Sequence, residues 1–337
     1  MGLSRSETQD AAGSPEEDDG GRRDGVTSPT GWRGRVGLVL LVLIAAGLVW
    51  AVGRDRQSFV DTIHRVGPAG LALSLAAAAA GIFVTGLQWR AVLRGMGVEF
   101  TLPDALRVFF VSQLGKYLPG SVWPVVVQLE AARERGASRR TVFAANIVTL
   151  AIGMASGLIV AAATLPFAYP EALQRYWWAL AATPLIIVLA LPRSLPWLLD
   201  RALTLIRREP LGVTMTVSGT LRAYAWALLS WVFLGLHLTV LAAALTGLTP
   251  SLVVLCLGGI SLAVCAGVLF IPSPAGAGLR EVVLAFVLTT VMSSGQAVAV
   301  VVGSRVVLIT VDVTLAAAVT LLGRAHARRL PRSTSTS

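Results

Sequence analysis

The feature that most constrains this chain is a series of long apolar blocks, each of about 20 residues with few or no charged side chains. A helix of that length crosses the roughly 30 Å hydrocarbon core of a bilayer. Only helices or closed barrels satisfy the backbone polar groups in lipid, and the blocks lack the alternation of a barrel strand. The sequence therefore predicts an all-α, polytopic membrane helix bundle of about eight transmembrane helices. The predicted spans are residues 36–52, 68–87, 141–165, 176–191, 223–246, 251–271, 279–293 and 296–322.

The net charge of +10 has two explanations, nucleic-acid binding or membrane topology. If the N-terminus is cytoplasmic, 23 of the 28 lysine and arginine residues fall in segments on the cytoplasmic side, and four fall in outer loops. Cytoplasmic loops of membrane proteins are enriched in basic residues in this way. The distribution therefore predicts that both termini are cytoplasmic, and it argues against nucleic acid as a partner.

The remaining composition bounds the domains. Residues 1–32 are polar and contain the acidic run Glu16–Asp19, so we expect a disordered cytoplasmic tail that cannot bury a core. Residues 33–323 form the predicted transmembrane domain, and residues 324–337 form a basic cytoplasmic tail. Two cysteines within one apolar block and three scattered histidines indicate no disulfide framework or metal site. We expect no cofactor, and we find no catalytic motif that indicates an enzyme.

The segment 103–130 is apolar, yet it begins and ends among basic residues on the predicted cytoplasmic side. Pro119 and Gly120 divide it into halves that are too short to span, because proline interrupts a helix. We therefore predict a re-entrant helical hairpin whose tip faces protein or a watery cavity. Lys116, the only lysine of the chain, lies about one turn from the break. Its neighbours Tyr117 and Trp123 either line that cavity or belong to an interfacial aromatic belt.

A second break interrupts residues 270–280 within the stretch FIPSPAGAGLRE. Paired breaks in the two halves of a transporter-like chain indicate a binding site near the membrane interior. Arg280 and Glu281 begin the helix that follows. Arg280, like Lys116, either binds an anionic group or acts only as a topology determinant. The small and cyclic residues that we predict at this cavity are Pro272, Pro274, Gly276 and Gly278.

Two ionisable residues lie inside the last predicted span. Arg305 and Asp312 are seven residues apart, which places them on one helix face about 10 Å apart along the axis. Because burying a charge in a membrane is costly, such residues should face the bundle and pair with other charges. We interpret Arg305 and Asp312 as a buried charge pair that either fixes helix packing or takes part in function. Glu281 is a second partner for Arg305, or a residue placed favourably at a helix N-terminus.

Four stretches of the chain resemble the lysylphosphatidylglycerol synthase transmembrane-region family, also described as flippase-like integral membrane proteins. The third is the most specific, because it is similar to the family pattern Pro-x-Pro-x-Gly-x-Gly-x-x-Glu. The stretches are GLQWRAVLRGMGV, GKYLPGSVWPVVVQLEAARERGASRRTVFAANI, FIPSPAGAGLREVVLAFVL and GSRVVLITVD.

The resemblance implies a bundle with re-entrant segments around a lipid-accessible cavity in a bacterial cytoplasmic membrane. Members with a soluble aminoacyltransferase domain make a lysyl lipid and move it between leaflets. This chain ends about 14 residues after its last predicted span, so we expect no lysyl transfer. Many members carry an arginine after the first break, where this chain has Gln128 and Glu130. If that arginine binds phosphate, Arg133 or Lys116 would have to replace it here.

Three functions are compatible with these observations. The first is a flippase-like transporter of a lipid or polyprenyl lipid with an anionic headgroup, with membrane lipids as its partners. The second is a membrane glycosyltransferase that uses a polyprenyl-phosphate sugar, or an accessory subunit of one, with Asp55 and Asp61 as acids in an outer loop 53–67. The third is a structural membrane partner of a cell-envelope enzyme. In the transporter, Glu281 and Asp312 are the residues expected to carry a proton-coupled step.

Overall fold

The computed structural model describes residues 56–117, 123–133, 137–168, 214–269 and 278–329, with isolated positions at 53, 197, 200, 201, 204 and 205. Within these residues the chain is helical and contains no strand. The helices are α1 (Arg56–Gly95), α2 (Leu102–Gln113), α3 (Trp123–Arg133), α4 (Arg139–Ala168), α5 (Val217–Thr246), α6 (Pro250–Leu269), α7 (Leu279–Leu288) and α8 (Ser294–Arg329). A short 3-10 helix, Leu114–Tyr117, follows α2.

Five of the described helices are long and apolar enough to cross a membrane. They lie in α1, α4, α5, α6 and α8, and they correspond to five of the eight predicted spans. The all-α membrane bundle predicted from the sequence is thereby confirmed. The predicted spans 36–52 and 176–191 lie outside the described residues, as does the tail 1–32. The last helix continues to Arg329, so the start of the predicted tail 324–337 is helical.

The predicted span 279–293 is wrong as a continuous helix, because α7 has only ten residues. At 1.5 Å per residue such a helix is about 15 Å long, half of a bilayer core. Gly278 precedes the first residue of α7 and has a φ angle of 95°, a backbone conformation that residues other than glycine rarely adopt. At its other end, the hydroxyls of Thr289 and Thr290 donate to carbonyls three residues earlier and accompany a turn.

The predicted outer loop 53–67 is also different in the structure. Helix α1 begins at Arg56, and Gly67 interrupts it with non-helical angles (φ 63°, ψ 173°) just before Pro68. The first turn of a helix accepts proline, so a new helical segment begins at Pro68 and the chain forms no loop there. Asp61 therefore lies on an exposed helical turn, while Asp55 is outside the described residues.

Helices α1 and α5 pack antiparallel along their length. Gly95 lies against Gly219 at one end, and Gly70 lies against Val240 at the other. Small residues let helix backbones approach closely, which is the usual basis of helix association in membranes. Helices α4 and α6 pack antiparallel in the same way. We name the end of the bundle that contains Gly95, Arg139, Val217 and Gly323 the basic end.

The hairpin predicted at 103–130 corresponds to α2, the 3-10 helix and α3. Helix α2 starts near the basic end, where Arg107 lies against Gly323 of α8, and α3 returns to it. Gln128 of α3 donates to Ser112 of α2 at 2.8 Å, which holds the two helices side by side. Helices of 12 and 11 residues are too short to cross a bilayer. Entry of this hairpin into the membrane from the cytoplasm stays a prediction.

We expect Gly219→Ala to lower the free energy of unfolding by about 1–3 kcal/mol, because overpacking strains a close helix contact. A Cβ atom at Gly219 would lie 2.6 Å from the Gly95 Cα atom, which is backbone and cannot rotate away. The control is Gly303→Ala, since a Cβ atom at Gly303 meets nothing within 4 Å. Unfolding in detergent measures both. Equal stability of the two variants would contradict the close contact.

Candidate functional site

Five charged side chains from the 3-10 helix Leu114–Tyr117, α7 and α8 lie close together. We name this 3-10 helix the hairpin tip. We name them the charge cluster; they are Lys116, Arg280, Glu281, Arg305 and Asp312. The 3-10 helix supplies the lysine, the start of α7 supplies an arginine and a glutamate, and α8 supplies the last two. None of the five is classed as exposed. Such residues are costly in a membrane protein unless they pair or face a polar cavity.

Asp312 joins α8 to the hairpin tip. One of its carboxylate oxygens, Oδ2, lies 2.6 Å from Lys116 Nζ and accepts a hydrogen bond from the Tyr117 hydroxyl at 2.5 Å. The Asp312 side chain is 1% exposed, whereas that of Lys116 is 32% exposed. A buried carboxylate needs such partners, because desolvation opposes its charge. The lysine and tyrosine thus stabilise the buried aspartate and hold the hairpin tip against α8.

The other Asp312 oxygen, Oδ1, is buried and has no hydrogen-bond partner among the described residues. Buried polar atoms are nearly always hydrogen-bonded, so an orphaned acceptor is unusual. A carboxylate oxygen can accept from an ammonium, hydroxyl, guanidinium or amide N–H group. Asp312 therefore retains acceptor capacity after its two protein partners are counted.

Arg305 and Glu281 form the second ion pair of the cluster. Arg305 Nε lies 3.5 Å from Glu281 Oε1, and their side chains are 15% and 10% exposed. The second glutamate oxygen accepts from the Gly278 N–H at 2.6 Å, which satisfies a free donor at the start of α7. Glu281 therefore links α8 to the break in the chain and caps a helix at the same time.

The sequence interpretation of Arg305 and Asp312 as one pair is wrong. The structure pairs Arg305 with Glu281 and Asp312 with Lys116. The reason is geometric, because two residues separated by seven positions on one helix are about 10 Å apart along its axis. Each side chain instead finds its partner on a neighbouring element.

Arg280 is different from the other cationic residues. Within the residues that the structure describes, it makes no ion pair, although the charged side chains of Arg305, Glu281 and Asp312 lie near it. The charge cluster contains three basic and two acidic side chains, so it carries one positive charge in excess. A half-buried cation without an acidic partner favours an anion beside it.

A narrow recess lies beside Arg280, between α7 and α8, with about 170 Å³ of empty volume that includes open solvent at its mouth. We name it the cleft. The charged side chains at one side of it face apolar residues and a serine. Its lining residues are Arg280, Glu281, Leu284, Val301, Ser304 and Arg305. Polar groups grouped in an otherwise apolar recess are typical of ligand sites. The cleft and the charge cluster form one candidate site for an anionic group.

The structure places the other predicted site residues as follows. Trp123 begins α3 and lies against Gly115, where a Cβ atom would be 2.8 Å from the tryptophan Cβ. Arg133 lies at the far end of α3, is largely exposed, and pairs with Glu130 at 3.6 Å. It is therefore not brought into the charge cluster. Pro119, Gly120, Pro272, Pro274 and Gly276 lie outside the described residues.

His237, a buried polar residue of α5, was missed by the sequence analysis. His237 of α5 is 0% exposed and contacts Ser74 of α1 and Ser304 of α8, each at 2.8 Å. The signal was present, because an ionisable residue inside an apolar span is unusual. The histidines were considered from the sequence only as metal ligands, and whether His237 is a buried polar residue of a membrane helix was not asked. Within the described residues no group of three metal-binding side chains is found.

Comparison with known proteins identifies the family of the chain. No curated protein matches the chain. Residues 38–316 match the model of the family described as the lysylphosphatidylglycerol synthase TM region. The match includes both broken segments, the charge cluster and all five candidate spans, except residues 317–323 of the last span. This multi-pass membrane protein therefore belongs to the lysylphosphatidylglycerol synthase TM region family.

Proposed function

We propose that the chain is a flippase-like transporter that moves a lipid with an anionic headgroup between the leaflets of the membrane. The observation that carries this proposal is the excess positive charge of the cluster, centred on Arg280. Family membership supports a lipid-related function. The proposal assigns no catalytic step to the chain, since the cluster holds its two carboxylates in ion pairs.

The geometry supports different roles for the two basic residues expected at the headgroup. Lys116 is already engaged with Asp312 at 2.6 Å, so a headgroup beside it competes with a carboxylate for the ammonium charge. Arg280 has no such competitor among the described residues. A guanidinium binds phosphate through two parallel hydrogen bonds. We assign first contact with the headgroup to Arg280, and the holding of the hairpin to Lys116.

The acyl or prenyl chains of the lipid would remain in the bilayer while the headgroup passes the cluster. The surface of α7 supports this, because Val282 and Phe286 are 65% and 75% exposed on the same helix that carries Arg280. Apolar side chains in that position suit contact with lipid tails. The site would thus combine a polar cleft with an apolar approach from the membrane. Enzymes of cell-envelope synthesis are the partners that we propose for such a lipid.

The proposal is tested by leaflet exchange in reconstituted liposomes. Two preparations carry either phosphatidylglycerol or phosphatidylcholine labelled on an acyl chain, and an impermeant quencher reports the exposed fraction with time. We expect the protein to accelerate exchange of the anionic lipid more than that of the zwitterionic lipid. Protein-free liposomes are the control. An exchange rate of the anionic lipid equal to that control would contradict the proposal.

We further propose that the basic end faces the cytoplasm of a bacterium and that the membrane is the cytoplasmic one. Basic residues are enriched on that side of membrane proteins. Cysteine labelling tests this orientation in a background without Cys256 and Cys265, which are free and buried. In intact cells an impermeant reagent should label a cysteine at Asp61 or Val291 and leave one at Arg222 unlabelled. The reverse pattern would show that the orientation is inverted.

A further inference from the structure

His237 lies inside the bundle between two serines from different helices. Its Nδ1 atom is 2.8 Å from Ser74 Oγ, and its Nε2 atom is 2.8 Å from Ser304 Oγ. All three residues are buried, with exposures of 0–1%. Ser304 also lines the cleft beside Arg280. The histidine is therefore connected to the candidate anion site through one hydroxyl group.

Of the two tautomers of the neutral ring, one satisfies all three hydrogen bonds recorded at His237. Ser74 Oγ donates to the backbone carbonyl of His237 at 3.3 Å, so it accepts from Nδ1–H. Nε2 is then the acceptor, and the Ser304 hydroxyl donates to it. In this state the Ser304 hydrogen points at the histidine and away from the cleft.

Protonation of Nε2 would reverse the second of these bonds without moving a heavy atom. Both ring nitrogens of a charged histidine are donors, so Ser304 Oγ would accept from Nε2–H. The hydroxyl hydrogen of Ser304 would then be free to donate into the cleft. An anion there would gain a hydrogen bond in addition to its contact with Arg280.

Burial of the ring disfavours a positive charge on His237, and the nearby positive charge of Arg280 disfavours it further. Helix α1 faces it with Ser74, α8 with Ser304, and α6 packs on the same helix with the neutral Cys256. The charge that acts on it is the positive charge of Arg280 on α7. Arg305 lies one residue after Ser304 and is engaged by Glu281. An anion in the cleft would offset the repulsion from Arg280.

We propose that His237 is a proton-binding site coupled to the anion site, so that the protein takes up a proton on His237 when an anionic headgroup enters the cleft. The proton comes from water, bonds to Nε2, and leaves with the anion. Because such coupling is reciprocal, the anion binds more tightly when the proton is available. The inference rests on the proposed function, and it adds the group that binds the proton.

The test measures anion binding by calorimetry in uncharged detergent, in buffers that differ in ionisation enthalpy. The dependence of the binding heat on the buffer gives the number of protons taken up. The probe is dihexanoyl phosphatidylglycerol, a phosphodiester, because a phosphomonoester would itself titrate at about pH 6. Sodium sulfate, as a free anion, distinguishes a lipid headgroup from a general anion site.

We expect the wild-type protein to take up protons on binding in acidic buffer, and to take up progressively fewer as the pH rises. Its affinity should fall with rising pH, at most about tenfold for each pH unit. His237→Gln should bind without proton uptake and with an affinity that no longer depends on pH. The matched control is His64→Gln, because His64 is exposed on α1; it should behave as the wild type.

Ser304→Ala provides a second variant that retains the histidine. It should lose affinity in acidic buffer and little in alkaline buffer, because the Ser304 hydroxyl donates to the anion only when His237 is charged. Proton uptake that persists in His237→Gln, or that is lost only in Asp312→Asn or Glu281→Gln, would overturn the inference. Binding by the wild type without proton uptake would overturn it as well. Absence of any binding would overturn the proposed function together with it.

Discussion

Arg280→Ala is expected to weaken binding of an anionic lipid by about ten- to a hundredfold, which corresponds to the loss of one hydrogen-bonded charge contact of about 1.5–3 kcal/mol. Arg280 makes no ion pair within the described residues, so its removal leaves no acid stranded. The midpoint of thermal unfolding should therefore change little. Binding of labelled lipid and unfolding are measured on the same purified protein.

The matched control for this variant is Arg222→Ala. Arg222 is an exposed arginine near the basic end, and its guanidinium donates only to Ser218 of the same helix among the described contacts. Removal of Arg222 lowers the net charge by the same amount, so it corrects for general attraction of anionic lipid. Equal loss of binding in the two variants would show that Arg280 acts through bulk charge and not as a site.

Asp312→Ala is expected to destabilise the protein by about 3–5 kcal/mol, because breaking a buried ion pair from one side leaves its partner uncompensated. In this variant Tyr117 loses its acceptor and Lys116 loses its carboxylate partner, so that Lys116 keeps only Gln113 at 3.5 Å. The hairpin tip is then no longer held to α8. Denaturant unfolding in detergent measures the loss, and limited proteolysis reports separation of the hairpin.

A double variant separates the charge from the packing. Lys116→Met combined with Asp312→Asn removes both charges and keeps an acceptor for the Tyr117 hydroxyl. Replacement of a buried ion pair by neutral groups is often nearly neutral for stability. We therefore expect the double variant to recover most of the loss caused by Asp312→Ala. A double variant as unstable as the single one would show that the pair stabilises the fold beyond its charge balance.

The membrane bundle could be predicted from the sequence because its signal is long and repeated. A block of about 20 apolar residues has few alternatives to a membrane helix. The two short helices of the hairpin could also be predicted from the sequence, because a proline and a glycine within an apolar segment limit each half to a short helix. Helices α2 and α3 end close to the predicted limits of 103–130.

The pairing of charges could not be predicted in the same way. Sequence spacing shows which side chains share a helix face, and it placed Arg305 and Asp312 together. The sequence also offered Glu281 as a partner for Arg305, which the structure shows, but nothing in the spacing indicated that the hairpin supplies the partner of Asp312. Lys116 and Asp312 meet because the hairpin tip packs on α8, which is a tertiary contact. The start of α7 was predicted, but its end at Leu288 was missed because the chain stays apolar there, and only Thr289 and Thr290 mark the turn that follows.

The contact between Asp312 and the hairpin has a consequence for how the chain is assembled. Asp312 comes 195 residues after Tyr117 in the sequence. The ribosome makes the hairpin first, and it must synthesise every helix from α3 to most of α8 before the carboxylate exists. The polar anchor of the hairpin therefore cannot form until the chain has been made as far as Asp312. Throughout the earlier stages of insertion, Lys116 is without the carboxylate that neutralises it in the finished protein.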